Sequence, residues 1–190
     1  WPPAEVTSRR LDDHTEDVLT PAEGLDTNQR VHVEGPAGAG KSRLALRWAR
    51  RASARGERVL LICFNLPVAA LSEPTSEAAP TATAGNFHQV ALRLLDQTGF
   101  QTPDQPSKEF WDDEVATALF DRRPLLGDGF DTIILDEAQD FRPHWLPAIE
   151  GLLDPDGAGR LYRLADPPPN ASRGDPRPPD RGTPRRARAD

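Results

Sequence analysis

The chain has 190 residues, of which 37% are hydrophobic and 28% charged, with a net charge of −7. That length carries one domain with a real core, and the acidic balance excludes a broad basic surface, so any nucleic-acid contact has to be local. A single cysteine, Cys63, excludes a disulfide framework and fits a reducing, cytoplasmic setting, while no stretch approaches the ~18 apolar residues of a membrane helix.

Residues 1–29 are polar, interrupted by Pro2, Pro3 and Pro21, and read as an irregular segment. They lack the charged-then-apolar pattern of a signal peptide. No Met occurs, even at position 1, so the chain reads as part of something longer. "RVHVEG" (30–35) predicts a short strand ending at a glycine. "KSRLALRWARRASARG" (41–56) predicts a helix with Leu44, Trp48 and Ala52 on one stripe and Gly56 as its stop. "RVLLICF" (58–64) is a nearly continuous apolar run, the pattern of a strand buried on both faces; within it Cys63 reads as a small buried hydrophobe rather than a nucleophile. Two helices follow, over about 86–98 (Phe87, Val90, Ala91, Leu94, Leu95) and about 108–121 (Phe110, Trp111, Val115, Leu119, Phe120). "FDTIILD" (130–136) predicts another two-sided strand, "HWLPAIEGLL" (144–153) a helix despite Pro147, and "RLYRLA" (160–165) a last strand. Strands alternating with helices and apolar on both faces predict an α/β domain over 30–165, built on a central parallel sheet. From Asp166 the text changes to seven prolines, six arginines and no large apolar residue. Such a segment buries nothing to offset its ordering, so 166–190 reads as a disordered, solvated Pro/Arg-rich tail.

Two stretches carry chemistry. "GPAGAGKS" (35–42) has the G-x-x-x-x-G-K-[ST] spacing, with a strand before it and a helix after. Gly35, Pro36, Ala37, Gly38, Ala39 and Gly40 form a loop whose backbone can curl its N–H groups toward phosphate oxygens. The helix N-terminus adds a favourable dipole, with Arg43 in its first turn. Lys41 is placed to reach the β- and γ-phosphates and Ser42 to offer its hydroxyl to Mg²⁺. The second stretch is "IILDEAQD" (133–140), in which an oily strand runs into acid. Downstream of a phosphate loop, the economical reading is that Asp136 at the strand's end faces Mg²⁺, where ligands collect in open α/β sheets. Glu137 then orients or deprotonates the attacking water.

These residues carry a resemblance. "GPAGAGKS" followed by "DEAQD" resembles the ATP-binding motor domain of superfamily 1 DNA helicases of the UvrD/Rep type, and most of all the helicase-like ATPases associated with NERD domains. "RVLLICFNLPVA" (58–69) is similar to that family's motif Ia, and "NFHQVALRLL" (86–95) to its T-F-H segment, with Asn86 in place of Thr. The resemblance covers about residues 30–165. It implies a RecA-like P-loop fold, ATP and Mg²⁺ as cofactors, single-stranded DNA as partner of the full-length parent, and no membrane. It implies Lys41 and Ser42 as the phosphate-loop pair, Asp136 and Glu137 as the metal and water pair, and Gln139 as the coupler of nucleotide to DNA. It also places Phe64, Asn65, Phe87 and His88 toward the DNA, although an apolar core fits Phe64 and Phe87 equally well and His88 reads as readily as a satisfied polar group.

The pattern departs in three places. "LTPAE" (19–23) puts Glu23 where the family has its adenine-recognising Gln, and Gln29 stands close to the first strand. "LADPPPN" (164–170) keeps Asp166 of the family's G-D-x-x-Q segment without its Gln. The family's second motor domain, with the arginines that meet transition-state charge, is absent from these residues. Three functions therefore stand side by side: a superfamily 1 helicase motor domain, another P-loop NTPase that does not act on DNA, and a fragment that binds nucleotide only.

Overall fold

The computed structural model describes residues 25, 28–63, 82–157 and 159–167. Five strands, β1 (Arg30–Glu34), β2 (Val59–Ile62), β3 (Ala82–Gly85), β4 (Thr132–Leu135) and β5 (Arg160–Ala165), form one sheet in the order β1-β5-β4-β2-β3. Every pairing is parallel, with Glu34 opposite Ala165, Leu135 opposite Arg163, and Ile62 opposite both Leu135 and Gly85. The helices are α1 (Lys41–Ala54), α2 (Phe87–Asp96), α3 (Val115–Asp121) and α4 (Trp145–Glu150). The α/β class expected from the sequence is what the chain adopts.

Strand residues alternate between two cores, as a pleat requires. Leu60, Ile62, Ile133, Leu135 and Leu161 face α2, α3 and α4, packing with Phe87, Leu95, Phe110, Leu119 and Ile149. Val59, Leu61, Ile134, Tyr162 and Leu164 face α1, whose Leu44, Ala45, Trp48, Ala49 and Ala52 fill the other side. Trp48 meets the Tyr162 ring with centroids 4.9 Å apart. Helix α1 ends where Gly56 turns with φ 82, a left-handed conformation that glycine adopts without strain.

The structure corrects several expectations. β3 has no counterpart among the predicted elements: "ATAG" has no large side chain, so no periodicity marks it, and the sheet recruits it through backbone pairing with β2. The helix expected over about 108–121 forms, but a π-helical turn, Phe110–Glu114, lies inside it, and Phe120 on its expected apolar stripe is 56% exposed. Phe87, placed toward DNA by the resemblance, is 4% exposed and stacks on Trp145 at 4.4 Å, so it is a core residue. Asp166, assigned to the tail, is instead held against the end of the sheet. Glu23, Phe64, Asn65 and residues 168–190 lie outside the described residues. Among the described residues no helix is long and apolar enough to cross a membrane.

Candidate functional site

Parallel strands end on the same side, so Glu34, Ile62, Gly85, Leu135 and Ala165 bring their following residues to one edge of the sheet. The Gly35–Gly40 loop follows β1, and Asp136 and Glu137 follow β4, with β5 between them. Gln29, at the start of β1, lies at the opposite edge, where its carbonyl accepts from the Leu161 N–H at 2.8 Å; it is no partner for a nucleotide at the loop. A shallow groove near that opposite edge, lined by Arg30, Arg123, Glu150 and Asp154 among others, contains none of the other predicted site residues.

The loop curls as its glycines allow. Gly38 and Gly40 have φ 82 and 87, in the left-handed region that side chains disfavour. A Cβ on Gly35 would meet the Ala39 Cβ at 3.3 Å. The Ala39 N–H bonds the Pro36 carbonyl at 3.0 Å, and Gly35 is tied to β5 through the Ala165 carbonyl at 3.2 Å. Pro36, Ala37 and Gly38 are exposed, as is Arg43 in the first turn of α1. Lys41 is only 6% exposed. Its Nζ donates to the carbonyls of Gly35 at 2.9 Å and Pro36 at 3.3 Å, and to the carboxylate of Asp166.

Asp136 is 1% exposed and has its backbone pinned to Ile62 of β2, N–H to carbonyl, at 2.9 Å. Burial pushes its carboxyl above the ordinary value of 3.8, and the negative charge of Glu137 adds to this. Hydrogen bonds from the Ser42 hydroxyl and the Glu137 backbone, and the charge of Lys41, pull the other way. Its Oδ1 has no hydrogen-bond partner among the described residues. A buried carboxylate with an unpartnered oxygen, beside a serine hydroxyl, suits a hard cation, and Mg²⁺ commonly takes one or two protein oxygens with substrate phosphates completing its shell. Asp136 and Ser42 therefore fit the metal.

Glu137 is the only non-glycine residue with positive φ among those described (φ 55, ψ 47). That conformation costs a side-chain-bearing residue about 1–2 kcal/mol and gathers at functional sites. It turns the chain from β4 into a short 3₁₀ turn, Ala138–Asp140, and Gln139 in that turn donates from Nε2 to Glu137 Oε2 at 2.6 Å. Gln139 Oε1 accepts from the Asp166 N–H at 2.9 Å. Lys41, Asp166, Gln139 and Glu137 thus form one connected series across three strand ends, and Ser42 joins Asp136 beside it. Asp166, which the resemblance matches to the G-D-x-x-Q segment but to which sequence reasoning gives no site role, joins this series. Its signal is present, an acid directly after a strand at the edge where the loop lies, but the proline run behind it outweighs that signal.

His88 is half-buried, donates from Nε2 to the Trp111 carbonyl at 2.7 Å, and lies edge-on to Trp111 and Trp145. It closes the π-helical turn, whose Asp112 carbonyl is taken by Trp145 Nε1 at 2.8 Å and His144 Nε2 at 2.7 Å.

No family model matches the sequence, and no curated protein matches it. Among solved structures the chain is similar to Bacteroides Pif1, whose crystal structure is bound to ssDNA. The identity is 18% and the TM-score 0.39, over 78% of this chain and 31% of that one.

Proposed function

We propose that this chain is the ATP-binding motor domain of a superfamily 1 helicase-like ATPase, which hydrolyses ATP with Mg²⁺ and, in a full-length parent, drives movement on single-stranded DNA. The observation that carries the reading is the convergence, at one edge of the sheet, of a glycine-built loop bearing Lys41 with Asp136 and Glu137.

The chain's own residues divide the work. The loop and the N-terminus of α1 receive the phosphates, and Lys41 carries the positive charge that meets their oxygens. Ser42 and Asp136 would hold Mg²⁺, which supplies neutralisation of charge across the β- and γ-phosphate oxygens. Glu137 accepts the proton of the attacking water or orients it, and Gln139 donates to its carboxylate. Arginine donors from a second motor domain, which raise rates about 10³-fold or more in such systems, belong to the parent. The isolated chain therefore turns over ATP slowly.

Hydrolysis measured on this chain, with and without single-stranded DNA, tests the reading. The expected result is a low rate that falls further in Glu137→Gln, with little response to DNA. A rate unchanged by Glu137→Gln would remove Glu137 from the chemistry. A second reading, a P-loop NTPase that does not act on DNA, is favoured by the burial of Phe87; DNA-stimulated hydrolysis by the parent would exclude it.

A further inference from the structure

Lys41 has three N–H donors, and three acceptors take them: the carbonyls of Gly35 and Pro36 and the carboxylate of Asp166. Any phosphate that reaches Nζ must therefore displace one. The two carbonyls belong to the backbone of the loop. Asp166 differs from both: its side chain is 36% exposed, while that of Lys41 is 6% exposed, so solvent and solutes reach the pair from the Asp166 side. It is also negative, and a phosphate approaching Lys41 would be repelled by it at short range. The Asp166 backbone N–H holds Gln139 Oε1, and the other end of that amide holds Glu137.

We propose that Asp166 is the resting counter-ion of Lys41, that nucleotide phosphate displaces it, and that the displacement reaches Glu137 through Gln139. The inference rests on the nucleotide reading above and assigns the site a positioning residue. In it, the water-orienting carboxylate is held in its resting direction until the phosphate arrives.

The chain has two lysines, Lys41 and Lys108, and Lys108 is 84% exposed. Protein labelled with isotope at lysine alone thus gives two side-chain NMR signals, one from the site and one as an internal control. Asp166→Asn, with Asp166→Ser as a second variant, is expected to move the Lys41 signal and leave that of Lys108 in place, without any nucleotide. Removing the carboxylate of a partly exposed pair is expected to tighten Mg-ATP binding about fivefold. In the wild type, Mg-ATP is expected to move the Lys41 signal and the Gln139 side-chain amide together. A Lys41 signal indifferent to both variants would overturn the ion pair, whether or not nucleotide binds. A signal that responds, with nucleotide affinity unchanged or weaker in both variants, would overturn the displacement while leaving the nucleotide reading intact. No nucleotide binding by the wild type would overturn both.

Discussion

The carboxyl of Asp136 is buried, lacks a partner at Oδ1 among the described residues, and has the charge of Glu137 beside it. Its folded value is raised above the ordinary 3.8. The resulting penalty is absent below the ordinary value, grows as pH rises toward the folded value, and is complete above it. Asp136→Asn is therefore expected to melt a few degrees higher than wild type at pH 7, the difference shrinking as pH falls toward 3.8. The same variant is expected to lose the Mg²⁺ dependence of nucleotide binding. A melting temperature below wild type at pH 7 would mean that the carboxylate is a net stabiliser and that the metal reading is misplaced. Single residues of this site are its most legible feature in the sequence. A phosphate loop and an acidic strand end are local patterns, so Lys41, Ser42, Asp136 and Glu137 are each marked by their own neighbours. Asp166 is marked by its place after a strand, but its pairing is not, because the partner lies 125 positions away.

Local chemistry at the start of α2 gives Asn86 a role. Asn86 accepts the Gln89 N–H at 2.9 Å, while the Gln89 side chain accepts the Asn86 N–H at 3.3 Å, forming a capping box. Asn86→Ala is expected to cost about 1 kcal/mol in denaturant unfolding, and Asn86→Thr only a few tenths. Equal costs for the two would discount the cap. The next residue makes a sharper test. With Phe87 in the core, Phe87→Ala is expected to lose about 3–5 kcal/mol of stability. A variant of native stability would restore Phe87 to a surface role. Element boundaries are legible where side-chain size repeats, as in α1, and illegible where backbone decides. β3 is made of small residues, and the carbonyls of Trp111 and Asp112 in the π-helical turn are taken by His88, His144 and Trp145 from outside the segment. Neither leaves a pattern within the segment itself.

Sheet order is what turns two motifs into one site. In the chain, β2 and β3 lie between β1, which leads into the glycine loop, and the acidic strand β4; in the sheet, β5 alone separates them. The same order puts Asp166, at the end of β5, between the Ala39–Lys41 turn and the Glu137–Gln139 turn, where it bonds to both sides. Two apolar cores lock the arrangement, one on each face of the sheet. The alternating apolar strands make the α/β class legible. Strand order is not, because it is set by which faces bury against which helices.

That this edge binds a nucleotide through Lys41 underlies every role given to its neighbours, and calorimetric titration of Mg-ATP into the wild type and Lys41→Ala tests it most directly. Saturable binding is expected for the wild type, with none detectable in a Lys41→Ala protein that still melts cooperatively. Equal affinity in the two proteins, or no binding by the wild type, would contradict it.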